Sequence, residues 1–191
     1  MILVNLFGAP GAGKSTGAAY IFSQLKMRGI NAELVTEFAK DKVWEGSKAV
    51  FDNQAYIFGK QYFRISRCAD QVDVIVTDSP LLLSILYNND EVLGDPFNAE
   101  DLGGTFDAVV RKVAKKYNSK NYYLKRVKDY NPSGRFQTEE ESDKLATELR
   151  HLLDCEGVDY KIRRGDFIGY EQIVEDVMRE FITYENTTNE N

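Results

Sequence analysis

The chain has 191 residues, enough for one domain with a small lid, and its 43% hydrophobic and 28% charged content is ordinary for a water-soluble globular protein. A net charge of −6 argues against a general nucleic-acid binder, no apolar run approaches the ~20 residues of a membrane span, and the apolar start Met1–Phe7 is too short for a signal peptide and has no basic leader. Cys68 and Cys155 lie far outside metal-ligand spacing and read as reduced thiols of a cytoplasmic protein, and a single histidine, His151, gives a His-based metal site or a Ser-His-Asp triad little to build on.

In chain order, Ile2–Phe7 hardly alternates and predicts a strand buried on both faces. Gly8–Gly13 is a glycine-rich turn, and Lys14–Met27 predicts a helix ending at Arg28-Gly29. Ala32–Thr36 is a second strand. Gln54–Ala69 follows as a helix with Tyr56 and Phe63 at helical spacing, and Val72–Thr77 is a third strand closed by Asp78-Ser79-Pro80. A helix over Leu81–Tyr87 and a polar loop over Asn88–Asp95 come next. Ala99–Tyr117 is helical in its second half and leads into a fourth strand, Asn121–Arg126. Lys128–Gln137 is polar and broken by Pro132 and Gly134. Thr138-Glu139-Glu140-Glu141 spells a capping box that opens a helix to about Leu153. Val158–Ile162 is a fifth strand, Tyr170–Tyr184 a last helix, and Glu185–Asn191 a frayed tail. Strands alternating with helices predict one three-layer α/β domain over residues 1–184, with a parallel sheet wrapped on both faces.

Gly8-Ala9-Pro10-Gly11-Ala12-Gly13-Lys14-Ser15 matches the spacing G-x-x-x-x-G-K-[ST] at every required position, and Thr16 continues it. Glycines let backbone N–H groups turn inward around an anion, and a helix starting at Lys14 aims its positive end at the same point. Lys14 can reach outer phosphates, and the Ser15 hydroxyl is the expected Mg²⁺ ligand. Asp78, directly after the third strand, suits Mg²⁺ held through water, or an N-cap for the helix near Pro80. Ser79 follows it where hydrolysing ATPases carry a water-activating Glu, which favours transfer over hydrolysis. Glu37 ends the second strand over the same sheet edge, where a carboxylate can take the proton of an attacking hydroxyl, or stand as an ordinary surface acid.

These segments resemble the P-loop nucleoside and nucleotide kinases, particularly the nicotinamide-riboside-kinase-like ATPase family found in phages. The resemblance rests on Gly8–Thr16, Thr36-Glu37-Phe38, Asn53-Gln54-Ala55-Tyr56, Thr77-Asp78-Ser79-Pro80 and Tyr130–Gln137. It implies a five-stranded sheet of order 2-3-1-4-5, ATP and Mg²⁺ as cofactors, and a lid after strand 4, about residues 127–137. Phe51–Tyr56 looks like the deoxynucleoside kinases, which place a base-reading glutamine there, here Gln54. Those kinases carry an Arg where this chain has Ser79, so the acceptor stays open. Some phage members phosphorylate 5-hydroxymethyluracil within DNA, which makes a base in DNA an alternative to a free nucleoside.

Arg126, ending the fourth strand, and Arg135, in the punctuated loop, are the expected cations for charge spreading over a transferring phosphate. Lys128 is a weaker third, and Gly165-Asp166-Phe167 falls where related kinases contact adenine. Gln54 and Gln61, two helical turns apart, could face the crevice together, and Trp44 could stack on a base or simply pack. Arg111–Arg135 holds nine Lys and Arg against the single acid Asp129, so it carries +8 and the rest of the chain −14. Interleaved with Tyr117, Tyr122, Tyr123 and Tyr130, it is either a surface for DNA or a solvated helix face beside a buried strand. The expected partners are therefore a nucleoside-type substrate, DNA as the alternative, and a second copy in a homodimer, with no membrane.

Overall fold

A computed structural model describes residues 1–88, 99–131 and 138–189. The expected lid residues 132–137, Arg135 among them, and most of the polar loop over Asn88–Asp95 lie outside the described residues.

The centre of the molecule is β1 (Ile2–Phe7), whose six residues are all buried. It is flanked in parallel by β3 (Val74–Thr77) and β4 (Asn118–Lys125). β2 (Ala32–Val35) adds outside β3 and β5 (Tyr160–Arg164) outside β4, giving the order β2-β3-β1-β4-β5. A strand buried on both faces needs no alternation, which is why Ile-Leu-Val-Asn-Leu-Phe reads as one apolar block. Its side chains still divide by parity. Ile2, Val4 and Leu6 pack under α1 (Lys14–Met27) and α7 (Phe167–Asn189), together with Ile21, Leu25, Ile173 and Val177. Leu3 and Phe7 face the opposite layer, made by α3 (Gln54–Ser66), α4 (Leu83–Asn88), α5 (Ala99–Ala114) and α6 (Glu139–Cys155). Among the described residues, no helix is long and apolar enough to cross a membrane.

The expected capping box is present: Thr138 Oγ1 accepts the Glu141 N–H and the Glu141 carboxylate accepts the Thr138 N–H. Asn53 caps α3 by accepting the Tyr56 N–H at 2.9 Å. Several boundaries differ from expectation. β4 begins three residues early, because polar Asn118 and Ser119 pair with Ile2 and Leu3 and tertiary pairing overrides weak strand propensity. β5 begins at Tyr160, the turn before it supplying the Asp159 carbonyl that Asn121 Nδ2 bonds at 3.1 Å. α5 is helical from Ala99 onward, and α7 starts at Phe167 and runs to Asn189, past Tyr184. Two elements had no local signal, α2 (Phe38–Trp44) and a 3-10 turn over Lys48–Asp52. A seven-residue helix is too short to be stable alone. Side chains from β3 and α3 hold its start, as the site shows.

Candidate active site

The parallel register brings the sequence motifs to one sheet edge. Asn5, Val35 and Thr77 share a level, so Gly8 after β1, Glu37 after β2 and Asp78 after β3 emerge together. The loop Gly8–Gly13 then enters α1 at Gly13, which sits at φ 90°, in the left-handed region that favours glycine. No side chain caps α1 and its first turn holds no acid, so its N–H groups and positive end are open to an anion. Lys14 Nζ folds back to the Gly8 and Ala9 carbonyls at 2.6 and 3.3 Å. Ser15 and Thr16 are exposed beside it.

Asp78 is 3% exposed and its Oδ1 accepts the Glu37 backbone N–H at 3.0 Å. The cap expected of Asp78 therefore goes to a different helix: Glu37 is the N-cap residue of α2, two residues beyond the end of β2 and not on it. The next N–H, of Phe38, is accepted by Gln61 Oε1 at 2.9 Å, and Gln61 Nε2 donates to Thr77 Oγ1 at 3.4 Å. Gln61 thus serves as a buried tie between α3, α2 and β3 rather than facing a ligand. Burial pushes the Glu37 carboxyl above the usual carboxylate range; Lys14 opposes that rise and Asp78 adds to it. Such a group is a better proton acceptor than a surface glutamate. Tyr87 of α4 is within its field. Burial raises the phenol, the Glu37 charge raises it further, and the hydroxyl stays protonated.

Gln54 opens α3 at 8% exposure, and its amide makes no hydrogen bond among the described residues. Tyr56 meets Phe38 edge-to-face with ring centroids 5.6 Å apart, which sets the first turn of α3 against that of α2. Trp44 ends α2 at 72% exposure, without a packing role.

Arg126 lies beside the phosphate loop, its Cδ 3.7 Å from where a Cβ on Gly11 would stand. Its guanidinium is engaged by Glu139 at 3.1 Å and Asp143 at 2.7 Å, and lies over the Tyr130 ring, whose edge covers Gly11. Ser142, fully buried on α6, donates to the Pro10 carbonyl at 2.8 Å, and Tyr170 of α7 donates to the Gly13 carbonyl at 2.9 Å. Tyr87, Tyr130, Ser142 and Tyr170 carry no sequence signal for these contacts, which only the tertiary fold creates. Gly165 sits where the sequence placed an adenine-contacting segment. It approaches the Ala12 backbone so closely that a side chain there would overlap it.

Three cations of the basic segment are engaged by acids on other elements. Arg111 pairs with Glu156, Lys120 with Glu180 and Arg126 with Glu139 and Asp143, while Tyr122 and Tyr123 are buried in β4.

Ser15 and Asp78 supply a hydroxyl and a carboxylate at the loop, a hard-oxygen pair that fits Mg²⁺ bound with water and phosphate. Among the described residues, no cluster of three or more His, Cys, Asp or Glu could hold a metal without such help.

A parallel sheet of order 2-3-1-4-5 with this loop between its middle strand and a helix is the fold of P-loop kinases. The chain belongs to the AAA domain family, whose model matches residues 3–169. No curated protein matches it. Among solved structures it is similar to the NadR protein in complex with NR, at 18% identity and a TM-score of 0.68, with 93% of this chain covering 50% of that one. It is also similar to deoxyadenosine kinase from M. mycoides with bound dATP, at 16% identity and a TM-score of 0.55, covering 93% of this chain and 98% of that chain. The chain spans half the length of the NadR protein.

Proposed function

We propose that this protein is an ATP-dependent kinase that transfers the γ-phosphate to a hydroxyl of a free nucleoside-type acceptor. The observation that carries this reading is the junction of Asp78 and Glu37. The Asp78 carboxylate, at the phosphate loop, holds the Glu37 backbone, so a half-buried carboxylate of raised basicity stands at the mouth of a phosphate cradle. A carboxylate there can take the proton of an acceptor hydroxyl, and Ser79, standing directly after Asp78 where hydrolysing ATPases carry their water-activating Glu, favours transfer over hydrolysis.

In the reaction, backbone N–H groups of Gly11–Lys14 and the Lys14 ammonium, swung from the Gly8 carbonyl, hold the β- and γ-phosphates. Ser15 and Asp78 would hold Mg²⁺, which would supply neutralisation of the phosphate charge. Glu37 accepts the acceptor's proton as its oxygen bonds to the γ-phosphorus and ADP departs with the cleaved bridging oxygen. Tyr87, kept protonated, donates towards the same corner. Arg126 exchanges Glu139 and Asp143 for phosphate when nucleotide arrives, with Arg135 as the second cation. The unbonded amide of Gln54 reads the acceptor, and exposed Trp44 closes over it.

The two kinase-fold structures were solved with NR and with dATP, nucleoside-type ligands both, which supports this acceptor class. Arg111, Lys120 and Arg126, three of the cations that would grip DNA, are engaged by acids, which favours a free acceptor over a base in DNA. Transfer from labelled ATP to a panel of nucleosides, nucleotides and 5-hydroxymethyluracil DNA tests the reading. A free nucleoside should be labelled, and Glu37→Gln should cut turnover by about 10²–10⁴-fold with ATP affinity unchanged. Label appearing only as inorganic phosphate, whatever the acceptor, would instead indicate a partner-regulated ATPase, and label on the DNA would indicate a DNA-base kinase.

A further inference from the structure

The start of α6 stands against the phosphate loop, and one buried bond fixes the distance between them. Ser142 is fully buried and donates to the Pro10 carbonyl at 2.8 Å. Glu139 and Asp143, four residues apart and therefore on one face of the helix, flank that anchor. Arg126, just after β4, reaches both acids. Its Nη2 donates to Glu139 Oε1 at 3.1 Å and to Asp143 Oδ1 at 2.7 Å, and its Nη1 meets the Ser142 hydroxyl at 3.5 Å. The guanidinium carbon lies 5.4 Å from the centroid of the Tyr130 ring, whose edge covers Gly11.

On the kinase reading above, we propose that Glu139 and Asp143 are positioning residues that form an autoinhibitory latch, holding Arg126 on α6 until the outer phosphates of a nucleotide compete it away. Two carboxylates against one guanidinium leave a negative charge beside a loop that must receive a polyanion, which opposes binding. The contact is also built to open. The Glu139 and Asp143 side chains are 60% and 65% exposed, so water receives them when Arg126 leaves, whereas a buried pair would be locked in place. Because Ser142 pins α6 to Pro10, the helix does not carry the acids away, and the moving part is the long Arg126 side chain. AMP has no outer phosphate to offer Arg126 and leaves the latch shut. ATP opens it and loses affinity in doing so. The two acids thus raise the ATP concentration at which the site fills, without acting on nucleotides that end at the α-phosphate.

Glu139→Gln combined with Asp143→Asn keeps side-chain shape and leaves the Thr138–Glu141 capping box intact, so the double variant should fold. Calorimetry on the full chain with Mg²⁺ should show it binding ATP about 3–10-fold more tightly than wild type, with AMP affinity within about twofold. In steady state, KM for ATP should fall by a similar factor with kcat unchanged, because the latch is open in both the bound ground state and the transition state. Glu140→Gln removes the same charge from the same turn but lies outside the ion pairs of Arg126, and it should leave ATP affinity within about twofold of wild type. In an Arg126→Gln background the acid substitutions should give no gain. Unchanged or weaker ATP binding by the double variant, an equal gain for AMP, an equal gain from Glu140→Gln, or a gain that persists in Arg126→Gln overturns the latch alone. ATP binding by none of these proteins overturns the latch and the kinase reading together.

Discussion

Gly165 is where the fold touches its own phosphate loop from behind, and Gly165→Ala probes that contact. A Cβ there would lie 2.9 Å from the Lys125 carbonyl oxygen and 3.1 Å from the Ala12 carbonyl carbon, and would overlap the Ala12 oxygen outright. Ordinary contact begins at 3.4 Å, and all three obstructing atoms are backbone, so no flexible side chain can yield. Overpacking of this kind costs about 1–3 kcal/mol, and rigid surroundings place this case near 3. For a chain of this size that lowers the melting temperature by about 6–12 °C. The second effect is local. The Ala12 carbonyl shares a peptide plane with the Gly13 N–H, so pushing the oxygen away tilts that donor out of the cradle. Losing one hydrogen bond to a charged phosphate costs about 1.5–3 kcal/mol, or about 10–100-fold in nucleotide Kd. Thermal unfolding by circular dichroism and ATP titration by calorimetry read the two effects separately. Gly59→Ala is the control: it lies inside α3 with nothing within 4 Å of its added Cβ. It should gain about 0.8–1 kcal/mol of stability and leave ATP affinity alone. Wild-type melting in Gly165→Ala would refute the close approach. A lowered melting temperature with unchanged ATP affinity would refute the peptide-plane link.

The other expectations are simpler. Lys14→Ala should leave the unfolding free energy within about 0.5 kcal/mol of wild type, since Lys14 Nζ reaches loop carbonyls and no core, while transfer falls by about 10²–10³-fold in steady-state assays. Asp78→Asn keeps an oxygen for the Glu37 N–H, so it should fold normally but need roughly tenfold more Mg²⁺ for half-maximal rate in a metal titration. Asp176 concerns stability alone. Burial works to raise its carboxyl, but hydrogen bonds from Arg163 and Lys161 outweigh it and hold the group below its ordinary 3.8. Its contribution is thus present above 3.8 and lost as pH falls through the lower folded value. Lys161 and Arg179 are mostly exposed and count for little, so Asp176→Asn should cost about 1–3 kcal/mol at neutral pH through Arg163, and its stability should fall less than that of wild type as pH drops below 3.8.

The phosphate loop, β1 and α1 were legible because each is dictated locally. An almost wholly apolar block, a glycine spacing and an amphipathic run leave little for distant residues to decide. The capping box of α6 was legible for the same reason. The acidic corner was legible only in part. The sequence could place Asp78 and Glu37 on one edge, but that one carboxylate would hold the other residue's backbone depends on α2, which owes its existence to Asp78 and Gln61. Asn5 hid inside an apolar run, and periodicity says nothing about a single buried amide. Arg126 was read as a phosphate cation from its position at a strand end, and its acidic partners, Glu139 and Asp143, come from a helix the chain reaches only later. Tyr122 and Tyr123, read either as nucleotide platforms or as core, are core.

Tyr170 bonds the Gly13 carbonyl across 157 residues of sequence, and its ring packs against Gly17 in the first helix. On the ribosome the phosphate loop emerges long before the residue that braces it. The loop is therefore exposed to the cell's nucleotides long before it is held in shape, and a nascent chain stalled ahead of Phe167 carries the whole motif without its brace. Nucleotide affinity should arrive abruptly as α7 leaves the exit tunnel, so that ligand rewards only a domain whose brace is in place.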